Sequence, residues 1–149
     1  MKNRILLLLI VSVSGILITG LTLKNNKSDD NSLELHTIMR LLMLDIHTIN
    51  EGIFTNNFDL IETGSAAVNS HPPLSDESRS MVQNKLGDRM PAFGEFDNKV
   101  HAYADSIRFA ALNLDMERVL QHYRIMEQGC VACHTAFQSE IRLERLKSK

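Results

Sequence analysis

The sequence predicts an all-α domain built as an antiparallel four-helix bundle. Three observations carry this. Apolar residues recur at three- and four-residue steps over several long stretches, which is the helical period. Breakers are scarce, with 7 Gly and 3 Pro among 149 residues, and runs rich in β-branched and aromatic residues are few. The links between the periodic stretches are short, and short links between long amphipathic helices make antiparallel neighbours.

The elements follow in order. The first helix is expected over residues 33–54, on the apolar series Leu35, Ile38/Met39, Leu42, Ile46, Ile49 and Ile53, with Asn31 or Ser32 as its cap. Asn56-Asn57 breaks it, and Asn57 can cap a shorter second helix over 58–69, which His71-Pro72-Pro73 ends. Ser75-Asp76-Glu77 opens a short helical piece that reaches Leu86 and stops at Gly87, and residues 90–94, MPAFG, read as a bend. The third long helix is expected over 95–112, with Phe96, Val100, Tyr103, Ile107 and Ala110/Ala111 on its apolar side. After the tight link Asn113-Leu114-Asp115, the fourth runs from Met116 to near Arg145, with Val119, Leu120, Tyr123, Met126, Cys130, Cys133 and Phe137 on one broad side.

The N-terminus stands apart from this pattern. Lys2 and Arg4 precede ILLLLIVSVSGILITGLTL (5–23), which carries no charge, and a polar stretch KNNKSDDNS (24–32) follows. Residues 1–23 are therefore a signal peptide or a membrane anchor, 24–32 a linker, and 33–149 the folded domain. The 19 apolar residues are long for a cleaved signal and sufficient to span a bilayer, which favours an inner-membrane tether. Either reading exports the domain to the periplasm. Residues 1–23 hold two of the 16 basic residues and none of the 18 acidic ones, leaving a net charge of −4 on the rest. That balance gives no support for nucleic-acid binding.

The chemistry-bearing motif is Cys130-Val131-Ala132-Cys133-His134, which contains both cysteines of the chain. C-x-x-C spaces two thiols for thioether bonds along one porphyrin edge, and the adjacent His can reach the iron. The expected cofactor is one covalent haem c with its iron, held by Cys130 and Cys133, with His134 as proximal ligand. Three rivals fit less well. A thioredoxin-like pair would open a helix after a strand. A zinc site would need a second Cys/His pair, which His101 and His122 do not supply. A structural disulfide leaves the histidine unexplained. A porphyrin would also add apolar surface to a core with only 5% aromatics and no Trp. The residues after His134, TAFQSEIRLERLKSK, contain no Met and no His, so a sixth iron ligand must come from upstream.

A helical bundle with C-x-x-C-H on its last helix resembles the cytochrome c prime family (class II c-type cytochromes), including its low-spin, methionine-ligated members. The resemblance spans residues 33–145 and is strongest over MERVLQHYRIMEQGCVACHTAF (116–137) and the first helix. Phe137 matches the family pattern, whereas Gln138 and Leu35 stand where the family often has basic residues. The resemblance implies a distal residue at the head of a first-helix series spaced 3, 4, 3, 4. Met39, Leu42, Ile46, Ile49 and Ile53 reproduce it; a series begun at Met43 lands on Asn50 and Asn57. Met39 is therefore the expected distal ligand and Met43 the reserve. His36 and His47 lie near the same face as bis-histidine alternatives, although rim or surface roles suit them better. His71 is expected in a loop, and His101 and His122 at partly exposed helix positions. Arg142 and Arg145 are read as solvated charges, and Tyr103 and Tyr123 as core or rim residues.

The function expected is electron transfer by a periplasmic c-type cytochrome that has no reaction of its own and exchanges electrons with a partner protein. One alternative is a five-coordinate binder of nitric oxide or another small gas. Another is a redox-sensing or structural domain. A homodimer is implied by the resemblance alone. There is no Ser/His/Asp set, no cleft-forming carboxylate pair and no Gly-rich phosphate loop.

Overall fold

A computed structural model describes residues 33–142, and these form an all-α fold. Helix α1 spans Leu35–Thr55, α2 Phe58–Asn69, α3 Asp76–Leu86, α4 Met90–Leu112 and α5 Met116–Cys133. A 3-10 turn, Gly87–Arg89, joins α3 to α4, and a π-helical turn, His134–Gln138, continues α5. Among the described residues the only β-type contact is a single parallel bridge between Leu33 and Leu74. No helix among them is long and apolar enough to cross a membrane. The expected signal or anchor (1–23), the linker (24–32) and Arg145 lie outside the described residues.

Local chemistry sets most boundaries. Asn56 takes a left-handed conformation (φ 52°) and closes α1. Asn57 Oδ1 then accepts from the N–H groups of Asp59 and Leu60 at 3.1 and 3.2 Å and opens α2. Ser75 Oγ accepts from Ser78 N at 3.1 Å to start α3, and Asp115 Oδ1 accepts from Arg118 N at 3.0 Å to start α5. Such caps contribute about 1 kcal/mol each. Gly87 (φ 51°) ends α3.

Three expectations need correction. Residues 90–94 are not a bend: α4 begins at Met90, with Pro91 in its first turn. The first turn has no intrahelical partner for its N–H groups, so proline is accepted there. The cap of α1 is Glu34 rather than Asn31 or Ser32. Its carboxylate does not cap its own helix but accepts from Ser75 Oγ (2.7 Å) and Ser78 Oγ (2.6 Å) across the fold. Leu120 shares the helical period of the α5 core residues yet is 48% exposed.

One core draws on four helices. Ile49 of α1, Ile61 and Val68 of α2, Ala104, Ile107, Ala110 and Ala111 of α4, and Val119, Tyr123 and Met126 of α5 form a single buried cluster. Burial of each large aliphatic side chain contributes roughly 1.5–3 kcal/mol. A second cluster forms where α3 meets the ends of α4 and α5. Val82, Leu86 and Phe137 are buried there, with Leu35, Phe93, Phe96, Cys133 and Ile141 packed around them. Ion pairs stitch the elements from outside: Arg108 Nε to Glu62 Oε1 at 2.8 Å joins α4 to α2, and Arg89 grips both oxygens of Glu140 at 2.7 Å.

Helices α1 and α2 meet backbone to backbone at two glycines. A Cβ on Gly64 would lie 2.8 Å from both Asp45 O and Ile49 Cγ1, and one on Gly52 would lie 2.7 Å from Ile61 Cγ1. Gly94 on α4 has no such neighbour within 4 Å. Gly64→Ala is therefore expected to lower the unfolding free energy by about 1–2 kcal/mol, since overpacking outweighs the helix-propensity gain of alanine. Gly94→Ala should raise it by about 0.5–1 kcal/mol. Urea unfolding of both variants checks this; a stabilised Gly64→Ala would mean that the two helices can separate freely.

Candidate functional site

A cavity of about 410 Å³ opens beside the second cluster. Its walls come from opposite ends of the described chain. Leu35, His36 and Met39 of α1 line it together with Cys133, His134 and Phe137, and Met81 of α3 and Phe93 of α4 also contribute. The size lies within the range of small-molecule and cofactor pockets.

Met39 is 37% exposed and lines the cavity, whereas Met43 is 53% exposed and does not. The rest of the series behaves as a buried stripe: Ile49 is fully buried, with Leu42, Ile46 and Ile53 packed against the main core. His134 lies on the cavity wall. Cys133 lines the cavity and packs in the second cluster; Cys130, one helical turn earlier and half-buried, is not on the lining. Positions three apart on a helix share a face, so the two thiols emerge from the same side of α5. His36 shares the cavity with Met39, and His47 does not. Arg142 is exposed, in keeping with its reading as a solvated charge, and also lines the cavity, as does the exposed Gln138.

Some of the lining was not anticipated. Met81, Glu77 and Ser78 of α3 reach the cavity, as does Glu34. The start of α1 is fastened to the start of α3 by Glu34 with its two serines, by Ser78 Oγ accepting from Leu35 N at 3.0 Å, and by the backbone pair Leu33 N to Pro73 O and Ser75 N to Leu33 O, both 2.9 Å. These bonds hold the first turns of α1 against the cavity. The hydrogen bonds from Ser78 and Ser75 keep the Glu34 carboxyl below its ordinary range.

Electrostatics bear on what the thiols can do. Burial pushes the Cys133 thiol up to about 11, with the nearby Asp97 and Cys130 adding to the effect. Cys130 is also raised, chiefly by burial. Nucleophilic, redox-active cysteines work as thiolates and have lowered values, so these raised thiols suit that role less well. The backbone widens into its π-helical turn at His134, directly after the second cysteine. Turns of this kind are rare and collect at functional sites.

No family model, curated protein or solved structure matches this chain.

The residues present fit a covalent haem on their own chemistry. The cavity offers aromatic and aliphatic walls, the thiol of Cys133, the imidazoles of His36 and His134 and the thioethers of Met39 and Met81, with Cys130 one turn before Cys133 on the same helix. Its rim carries Glu34, Glu77 and Arg142. With the Cys133 thiol raised from its ordinary 9.0 to about 11, the folded, haem-free chain should hold about a hundredth of the usual thiolate at that site near neutral pH. Iodoacetamide labelling of Cys133 should accordingly be slow at pH 7 and climb with pH towards 11. Fast labelling at pH 7 would show a lowered thiol and return the redox-pair reading.

Proposed function

We propose that this chain is an exported c-type haem protein with an antiparallel four-helix bundle, similar to the methionine-ligated members of the cytochrome c prime family, and that it transfers electrons. The observation that carries the reading is the cavity. It gathers Met39, Cys133 and His134, about ninety-five residues apart in sequence, around one apolar space. A core-packing role for Met39 alone would not explain why it turns to the same space as the C-x-x-C-H motif.

In this reading Cys130 and Cys133 hold the haem covalently, His134 is the proximal ligand and Met39 the distal one. When bound, the haem supplies one-electron exchange at its iron. The chain's own residues bind, orient and exclude water. Phe93, Phe137, Leu35 and Met81 present apolar surface to the ring, and Arg142 offers a guanidinium at the edge to a carboxylate. A thioether donor favours the reduced state more than a second imidazole would, so Met39 sets a higher potential than His36. The glutamate–serine fastening at the head of α1 keeps Met39 in place with little reorganisation between oxidation states. Export rests on residues 1–23, whose apolar run and basic start suit delivery to the compartment where c-type haem is attached.

The first test is attachment. Chain made in a host able to mature c-type haem should retain the pigment through acid-acetone extraction and carry the added mass. Cys130→Ala or Cys133→Ala should each abolish or impair this. Colourless wild-type chain would overturn the proposal.

The second test is ligation. Wild type should be low-spin and, when reduced, resist carbon monoxide. Met39→Leu keeps volume and apolarity, so the stability of the haem-free chain should fall by less than about 1.5 kcal/mol. The visible spectrum should turn high-spin and carbon monoxide should bind readily, while Met43→Leu should leave both unchanged. If His36→Ala produces the conversion instead, the distal ligand is the histidine. If wild type is already high-spin, the gas-binding alternative replaces electron transfer.

A further inference from the structure

Away from the cavity, three side chains of a different kind converge. His71 lies in the link after α2, while Asp97 and His101 stand one turn apart on α4. One ligand atom from each lies within 4.8 Å of the others. None of the three lines the cavity that holds Met39 and His134. We infer that His71, Asp97 and His101 form a mononuclear site for a divalent transition-metal ion of the zinc class. The inference does not depend on the haem reading.

The hydrogen bonds around the imidazoles support it. His71 Nδ1 is 2.8 Å from the carbonyl oxygen of Pro72, which only accepts, so Nδ1 carries the proton and the Nε2 lone pair is free. His101 Nδ1 is 3.2 Å from Asn69 Oδ1, which fixes the same tautomer in the second ring. Metal-binding histidines characteristically donate their other ring N–H to an oxygen in this way, fixing the ring's orientation. His101 Nε2 is 3.8 Å from Asp97 Oδ1. Donors around a tetrahedral zinc lie roughly 3.3–3.5 Å apart, so small side-chain rotations close the set. The Asp97 side chain is 52% exposed and that of His101 27%, which leaves an entry path and a fourth position for water.

Charge argues the same way. A surface His101–Asp97 pair would account for two of the residues. It would not account for a second imidazole whose ring centre is 4.8 Å from that of His101. Two imidazoles that close repel when protonated, whereas a cation between them turns both into donors. Asp45 of α1 is near enough to His71 to interact with it electrostatically and adds negative potential. Two neutral nitrogens and one carboxylate suit zinc and similar ions rather than calcium or magnesium, which take oxygen donors. The bound ion would clip the Pro72-Pro73 link to α4.

The test is zinc uptake by the mature chain, with any free thiols alkylated beforehand so that Cys130 and Cys133 cannot contribute. After chelator dialysis, calorimetric titration with zinc chloride at pH 7.5 should give one ion per chain, and zinc should raise the melting temperature. His71→Gln and His101→Gln should each weaken binding more than tenfold and abolish the thermal shift. Asn69→Ala, which removes only the partner of His101 Nδ1, should weaken it about tenfold. His122→Gln should leave it unchanged, and calcium chloride should have no effect. The inference is overturned if wild type takes up no stoichiometric zinc, or if either His71→Gln or His101→Gln binds zinc as wild type does. Circular dichroism of each variant separates lost ligation from lost folding; if one glutamine variant unfolds, the other together with Asn69→Ala decides.

Discussion

Gly52 and Gly64 let the backbones of α1 and α2 touch. Without side chains at those two points, Asp45 O and the Ile49 backbone approach one helix, and Asn57 O and the Ile61 backbone approach the other, at distances a methyl group would fill. The contact fixes the rotation of α1 about its own axis. Ile49 and Ile61, both fully buried, enter the core beside it. A helix is a stiff rod with 3.6 residues per turn, so the phase set at Gly52 carries back along Ile46 to Met39 and turns Met39 to the cavity. Met43, four residues on, is carried towards solvent. Membership of the cavity is thus decided three to four turns away from it.

That long reach explains what could and could not be read from sequence. The helix starts at Asn57, Ser75 and Asp115 were legible because each cap acts within three residues. The α1 stripe was legible because periodicity reports phase directly. The start of α4 was not: Met90-Pro91 has the local look of a break, and only the chain before it, already turning through Gly87–Arg89, makes it a first turn. The cap of α1 was missed because Glu34 answers to Ser75 and Ser78, more than forty residues on. Leu120 fits the helical period of α5 but is half exposed among the described residues, and periodicity is silent on neighbours. Met39 and His134 could be named from sequence; the part α3 plays in their cavity could not. His71 and His101 were each legible as polar positions, but their meeting depends on how the link after α2 lies on α4.

The two clusters divide the work of the fold. The larger one, shared by α1, α2, α4 and α5, is mainly aliphatic, with Tyr123 and Met126 among its buried members. The smaller, around Val82, Leu86 and Phe137, is rich in aromatic rings and sulfur. Phe93 and Phe96 meet Phe137 edge-on, and Arg89 lies over the Phe137 ring. Stiffness is concentrated in the first, and polarisable, accommodating surface beside the cavity in the second. The proposed electron-transfer role fits this division, because a carrier gains from a rigid frame around a site that changes little with charge.

The cavity walls have a consequence for how the chain holds together. Apart from the part that α3 and Phe93 contribute, they belong to residues 34–39 and 133–142, with nearly the whole described chain between them. Anything gripped by both walls acts as a cross-link. Closing a loop of roughly a hundred residues removes about 4–5 kcal/mol of unfolded-chain entropy in the chain-entropy description. A ligand held between Met39 and His134 would therefore stabilise this protein much as a long-range disulfide does, and it would do so reversibly, because the bond on the Met39 side can open while the other end stays fixed.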